Sequence, residues 1–238
     1  MAGDPGQPGG RTGPRPRVRL GAALFNGDHG RLAEEVARLE AAGLDFIHFD
    51  VFDGYFVSDI GFPPRTIAAL RKLTRLPFEV HIGVSEPARF LGPLAEAGAD
   101  LVLVHLESMR MPFETIFAAH SLHLRAGVAL SLGTPLESAQ PLLPSLDAVL
   151  LLSRVTGEGT RGASFDPAVL PRLRALRGMA EAAGPGCDIQ AAGGINRANV
   201  ADLAEAGAVT LSLGAGIYKV PDMAAEVAAV RGLLAGGA

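Results

Sequence analysis

The stretch Phe46-Ile47-His48-Phe49-Asp50-Val51-Phe52-Asp53-Gly54 sets polar side chains into an apolar run at every second position. In an extended strand alternate side chains share a face, so His48, Asp50 and Phe52 point together and Asp53 falls in the loop beyond. A carboxylate enclosed in this way is costly unless it is paired. Phe78-Glu79-Val80-His81 offers a partner, since a second histidine closes another apolar run there. Two imidazoles and a carboxylate converging from neighbouring strands make a site for a divalent metal such as Zn, Fe, Mn or Co. The same residues also read as a hydrogen-bonded structural set, and the residues alone leave both readings open.

A second chemistry is written in glycine. Ala192-Gly193-Gly194-Ile195-Asn196 and Leu213-Gly214-Ala215-Gly216-Ile217 each close an apolar run. Tight turns need glycine for steric reasons alone. Two such turns side by side, with Asn196 as N-cap of a following helix, also present backbone N–H groups to an anion. The expected phosphate contacts are Gly193, Gly194, Gly214, Ala215 and Gly216. Between these clusters runs Ser153-Arg154-Val155-Thr156-Gly157-Glu158-Gly159-Thr160-Arg161-Gly162, a polar loop that reads equally as a lid over bound ligand or as a solvated surface loop.

The elements that must carry these groups alternate along the chain. Apolar runs at Val18–Leu24, Phe46–Val51, Phe78–Ile82, Leu101–His105, Gly127–Leu132, Ala148–Ser153, Asp188–Ala192 and Thr210–Leu213 predict buried parallel strands. Helical periodicity fills the intervals at Arg31–Ala42, Pro64–Leu73, Pro87–Ala97, Pro112–Leu124, Leu136–Leu143, Pro167–Ala183, Arg197–Ala206 and Met223–Leu234. Ala-Ala-Gly-Leu-Asp at 41–45, Ala-Gly-Ala-Asp at 97–100 and Ala-Gly-Ala at 206–208 each end a helix on a glycine C-cap and enter a strand. This pattern predicts an α/β fold, a single (β/α)8 TIM barrel over residues 18–238, with the chemistry at the C-terminal ends of the strands.

The remaining composition excludes several classes of function. The net charge is −4 and the arginines are scattered, which argues against nucleic acid. No apolar run approaches the roughly 20 residues of a membrane span. Residues 1–17 are rich in Gly, Pro and Arg and lack the apolar core of a signal peptide; they read as a flexible tail or a cloning remnant, and the expected location is cytoplasmic. Cys187 is the only cysteine, so no intrachain disulfide or thiolate metal cluster can form, and it is expected to be a small buried hydrophobe.

From about Leu20 to Asp222 the chain resembles ribulose-phosphate 3-epimerase. The resemblance is carried by Asp28-x-x-Arg31-Leu32-x-Glu34-Glu35-Val36, His48-x-Asp50-x-x-Asp53-Gly54-x-Phe56-Val57, Val80-His81, Glu86-Pro87, His105-x-Glu107 and Gly133-Thr134-Pro135-Leu136. It continues through Gly193-Gly194-Ile195-Asn196 and Gly214-Ala215-Gly216-Ile217, all in order. The resemblance implies a barrel of the ribulose-phosphate-binding type and a metal-dependent isomerase of carbohydrate metabolism that inverts C3 of a ketopentose phosphate. It further implies His48, Asp50 and His81 as metal ligands, Asp50 as base, and two carboxylates on opposite faces of a metal-stabilised enediolate.

The chain departs from the family at the second of those carboxylates. The family reads Val-Asp-Gly-Gly on the seventh strand, where this chain reads Ala191-Ala192-Gly193-Gly194. Asp188 shares the face but lies four residues deeper and cannot substitute. The family's strand-one Ser is Asn26, its three methionines correspond to Phe52, Gly83 and Leu152, and its strand-five Asn-Pro is Ser131-Leu132. Loss of side chains at Gly83 and Ala192 is expected to open space beside the metal. Asn26, Ser131, Ser153 and Arg161 are the expected substrate contacts, and Glu158 is a candidate second acid. The chain also resembles the 3-keto-gulonate-6-phosphate decarboxylase and hexulose-6-phosphate synthase group less closely; their strand-three Asp-x-Lys is absent.

The expectation is a divergent epimerase-like enzyme acting on a phosphorylated sugar or sugar-like substrate, with altered substrate or reaction, working as a homo-oligomer (a dimer or larger). The rival is a non-catalytic phosphometabolite-binding protein or partner subunit.

Overall fold

The computed structural model describes residues 17–154 and 165–236. Eight parallel strands close into a barrel in sequence order: β1 (Arg19–Ala23), β2 (Phe46–Phe52), β3 (Phe78–Gly83), β4 (Leu101–His105), β5 (Arg125–Leu130), β6 (Ala148–Leu152), β7 (Asp188–Ala192) and β8 (Thr210–Leu213). Each strand is flanked on both sides, so its outward residues are as apolar as a buried helix interface requires. Leu20, Ile47, Phe49, Val80, Val102, Val128, Val149 and Leu211 all pack outward, fully buried, into the layer between sheet and helices. The inward layer is separate and smaller, with Leu101, Leu103, Ala129, Ala148, Leu150, Leu152 and Ala192 in one cluster.

Around the barrel run α1 (Leu32–Ala41), α2 (Pro64–Arg71), α3 (Ala88–Glu96), α4 (Pro112–Ser121), α5 (Val169–Ala183), α6 (Val200–Glu205), α7 (Ala215–Tyr218) and α8 (Met223–Gly236). Pro64 and Pro112 occupy first-turn positions, where their missing N–H costs nothing. Gly43, Gly98 and Gly207 have φ of 77°, 84° and 116°, the left-handed helix exits that the repeated Ala-Gly steps predict.

The structure corrects the sequence reading in four places. The helix expected over Leu136–Leu143 is two 3-10 turns, Leu136–Ser138 and Gln140–Ser145, because Pro141 and Pro144 remove the N–H donors an α-helix would need. The fifth strand ends at Leu130, which leaves Ser131 and Leu132 in the loop. The helix after the seventh strand begins at Val200, so the residue at its N-cap is Asn199 and not Asn196. The turn at Gly214 opens a short helix, α7, that apolar periodicity does not signal in four residues.

At the N-terminal rim an aspartate recurs. Asp45, just before β2, accepts the N–H of Leu20 in β1 at 2.8 Å; Asp100, before β4, accepts Phe78 of β3 at 2.7 Å; Asp147, before β6, accepts Ala126 of β5 at 2.8 Å. Each is also paired with an arginine: Arg231, Arg71 and Arg125. The position equivalent to these before β8 is Val209. Deeper in the barrel Arg19 meets the buried Glu79 at 3.0 Å. Burial there pushes the Glu79 carboxyl upward, against the pull of Arg19.

Cys187 lies half-buried at this rim. Burial, aided by Asp188 and Asp147, pushes its thiol up to about 12. Only about one thiol in 10⁴ is then thiolate at pH 8, and thiolate is the reactive form. Alkylation by iodoacetamide at pH 8 is expected to be slow in the native protein and rapid in denaturant; equally rapid alkylation in both would contradict this placement.

Candidate active site

The C-terminal mouth of the barrel assembles its polar groups through strand register. Asp50 of β2 pairs with His81 of β3, and His48 with Glu79, so alternation turns His48, Asp50 and His81 into the barrel at neighbouring positions. His81 Nδ1 lies 3.0 Å and His48 Nε2 3.5 Å from Asp50 Oδ1. On the far side of the His48 ring, Nδ1 lies 3.3 Å from Ser212 Oγ in β8. His48 and His81 are buried, and only 13% of the Asp50 side chain is exposed.

Burial works against ionisation of Asp50, but the hydrogen bonds and charges of His48 and His81 outweigh it and hold the carboxyl far below the usual carboxylate range. Burial likewise depresses His81 to about 4, partly offset by Asp50. The resting site is therefore an ionised carboxylate between an unprotonated His81 and the His48 ring. One atom from each of the three residues falls within 4.8 Å of the others. Two imidazole nitrogens and one carboxylate oxygen, buried and converging, fit the donor set of a divalent transition metal.

Facing this trio across the barrel is Ala192 at the end of β7, a residue 9% exposed that belongs to the apolar inward cluster with Leu152. Asp188 sits at the opposite rim, paired with Arg125 at 3.4 Å, and takes no part. The expected space beside the metal does not open at Gly83. A Cβ there would come within 2.8 Å of the Phe52 ring and 3.0 Å of Val57, so the Phe52 aromatic occupies the place of a side chain on β3. Phe52 lies edge-on to His81, with 5.5 Å between ring centroids.

The glycine turns come together as their positions imply. Gly193 and Gly194 have φ of 111° and 68°, and a Cβ on Gly194 would lie 2.7 Å from the Phe165 nitrogen, so only glycine fits. Asn196 and Asn199 brace this turn: both amides donate to the Gly194 carbonyl at 3.1 Å, and Asn199 Oδ1 accepts the Asn196 N–H at 2.9 Å. Gly216 lies against the Ile195 carbonyl and Gly214 against the Asn26 amide, so the ends of β7, β8 and β1 meet there. The first-turn N–H groups of α7, at Ala215 and Gly216, open at this junction.

The other expected contacts are placed unevenly. Asn26 lies beside the glycine turn at Gly214, and its amide donates to the Ala23 carbonyl at 3.3 Å. The Ser131 N–H is held by Glu107 Oε1 at 2.8 Å. Ser153 is fully buried and its hydroxyl donates to the Ala192 carbonyl at 2.9 Å, so it ties β6 to β7 and is not open to a ligand. Glu158, Arg161 and most of the expected lid lie outside the described residues.

Sequence reasoning gave no individual role to His105, Glu107 or Ser212. His105 closes β4, its ring 4.9 Å from that of His81. The signal was present, since His105 is a third histidine at the inward phase of an apolar strand, with Glu107 two residues on.

Fold and mouth together define a closed (β/α)8 barrel with a His-Asp-His cluster at β2 and β3 that could hold a metal ion. Residues 19–218 match the ribulose-phosphate 3 epimerase family. The chain belongs to that family, whose members are sugar-phosphate epimerases. It is 36% identical over 216 residues to ribulose-phosphate 3-epimerase of Synechocystis sp., covering 90% of this chain and 93% of that one. To the Bacillus subtilis enzyme of the same name it is 33% identical, covering 90% and 99%. Among solved structures, 3-hexulose-6-phosphate synthase from Salmonella typhimurium superposes with a TM-score of 0.66 at 20% identity, covering 93% of this chain and 100% of that one, which is a likeness of fold. Among the described residues no helix is long and apolar enough to cross a membrane.

Proposed function

We propose that the protein acts on a phosphorylated sugar or sugar-like ketose by removing the proton beside the carbonyl through Asp50, with a divalent metal held by His48, Asp50 and His81. His48, Asp50 and His81 would hold the metal, which would supply positive charge beside the reacting carbonyl. His48 and His81 keep Asp50 ionised and oriented, so it is ready to act as a base at neutral pH. The substrate's phosphate lies at the turns of Gly193, Gly194, Gly214, Ala215 and Gly216, with Asn26 beside them.

The observation that carries this reading is the pairing of an ionised, buried Asp50 with a bare apolar wall at Ala192. One face of the substrate meets a base and the other meets a methyl group. Reactions that use one base through an enediolate, such as isomerisation or retro-aldol cleavage, need only what is present, whereas inversion needs a proton from elsewhere.

The test is to incubate ketopentose phosphates with the metal-supplied protein in D2O and follow deuterium at the carbon beside the carbonyl by NMR. Exchange outpacing inversion supports the reading. Efficient inversion shows that a second acid serves the Ala192 face, and neither exchange nor inversion favours a phosphometabolite-binding protein.

The anion site has its own expectation. A Cβ on Gly216 meets nothing closer than the Ile195 carbonyl at 3.7 Å, so Gly216→Val should fold. Inorganic phosphate should raise the melting temperature of the unaltered protein and fail to raise that of Gly216→Val. Equal stabilisation of both by phosphate, or of the unaltered protein by chloride at matched ionic strength, would remove these turns from the phosphate site.

A further inference from the structure

Two ring nitrogens near the site, Nε2 of His81 and Nε2 of His105, are fully buried and have no hydrogen-bond partner among the described residues. They belong to neighbouring rings, 4.9 Å between centroids and inclined at 39°. The two nitrogens are not bonded to each other in this structure, and rings this close need only a modest turn to bring them into hydrogen-bond range. Buried ring nitrogens are seldom left unpaired, because each forfeits its bond to water without return.

The opposite edge of each ring is already engaged. His81 Nδ1 lies on Asp50, whereas His105 Nδ1 lies 2.8 Å from Glu107 Oε2. Glu107 is fixed in turn: its Oε1 accepts the Ser131 N–H at 2.8 Å and the Thr134 hydroxyl, and Arg172 donates to the Thr134 carbonyl at 2.6 Å. Burial opposes ionisation of Glu107, but these bonds prevail and hold it at about 2. A carboxylate accepts only, so His105 Nδ1 carries the hydrogen of its bond to Glu107, and Nε2 is the ring atom left to accept.

We propose that His105, oriented by Glu107, becomes the outer hydrogen-bond partner of His81 when a metal is bound and fixes that ring for metal binding. The inference rests on the metal reading above. When His81 gives Nδ1 to a metal, its ring hydrogen resides on Nε2, which then needs an acceptor in a place water does not reach. His105 Nε2 supplies it, and the chain His81, His105, Glu107 ends on a carboxylate anchored to the loop after β5. Outer partners of this kind hold the tautomer and raise the basicity of the ligating nitrogen. His105 is a positioning residue in this arrangement and touches neither metal nor substrate.

Metal affinity is the direct readout. Mn²⁺ is titrated calorimetrically into chelator-treated protein and its variants. His105→Phe keeps a ring beside Phe56 and His81 but offers no acceptor, and should weaken binding by roughly 10–100-fold. His105→Gln can accept from His81 and donate to Glu107, and should stay within a few-fold of the unaltered protein, a rescue that a packing role would not show. Glu107→Gln, which leaves the His105 tautomer unfixed, should weaken binding by about tenfold. Equal affinity in the unaltered protein and His105→Phe, or equal losses in the Phe and Gln variants, overturns the role of His105. If His105→Phe fails to fold, unchanged affinity in Glu107→Gln overturns it instead. Absence of Mn²⁺ binding by the unaltered protein overturns the metal reading itself, and this inference with it.

Discussion

Ala192→Asp should raise C3 inversion of a ketopentose phosphate by roughly 10²–10⁴-fold, the usual contribution of one general acid or base. The new carboxylate would stand at the end of β7, across the mouth from Asp50, on the face where the chain presents a methyl group. Its side chain would enter the apolar layer of Leu150, Leu152 and Ala129, where an unpaired charge is costly. The metal-free variant should therefore melt lower than the unaltered protein, and divalent metal should restore more stability to the variant than to the parent. Inversion rates and melting temperatures with and without metal measure both effects. Comparable inversion in the two proteins would show that another group already serves that face. Glu158 would then be the residue to replace next.

Asp50→Asn should lower exchange of the proton beside the carbonyl by roughly 10³-fold or more, since one oxygen atom serves two functions. Asp50 Oδ1 is the atom that both His48 and His81 approach, at 3.5 and 3.0 Å. An amide of the same shape has no ionised oxygen to serve as base and is a poor ligand for a divalent metal. Metal content should fall together with exchange, and deuterium incorporation and elemental analysis follow the two separately. Exchange within tenfold of the unaltered protein would remove Asp50 from the reaction.

Much of the barrel was legible because its signals are local. Apolar runs of strand length, helices ending in Ala-Gly, and the spacing between them require only near neighbours in the chain. The trio at the mouth was legible for a related reason: alternation along β2 and β3 decides which side chains turn inward, and parallel register sets Asp50 beside His81. Sequence reading failed where long-range packing or proline decided. Leu136–Leu143 has helical periodicity, but its prolines permit only 3-10 turns. Gly83 suggested a void because nothing along the chain reveals that the Phe52 ring, one strand away, fills it. Ser153 has the chemistry of a substrate contact, but its hydroxyl is spent on the Ala192 carbonyl, a partner that appears only once β6 and β7 pair.

The aspartates at the N-terminal rim join the strands in pairs: Asp45 couples β1 to β2, Asp100 couples β3 to β4, and Asp147 couples β5 to β6. Among the described residues no carboxylate crosses between one pair and the next in this way, and Val209 leaves β7 and β8 without such a latch. The ring is thus built of quarter-turns, three latched and one open. A cut in the backbone between quarters, after β2, β4 or β6, leaves every latch inside one piece, whereas a cut after β1, β3 or β5 separates a carboxylate from the amide it holds. The joints after even-numbered strands are accordingly where new chain ends can be placed at least cost to the ring. The unlatched quarter is the one that carries both glycine turns, so that end of the circle is the part least constrained from below.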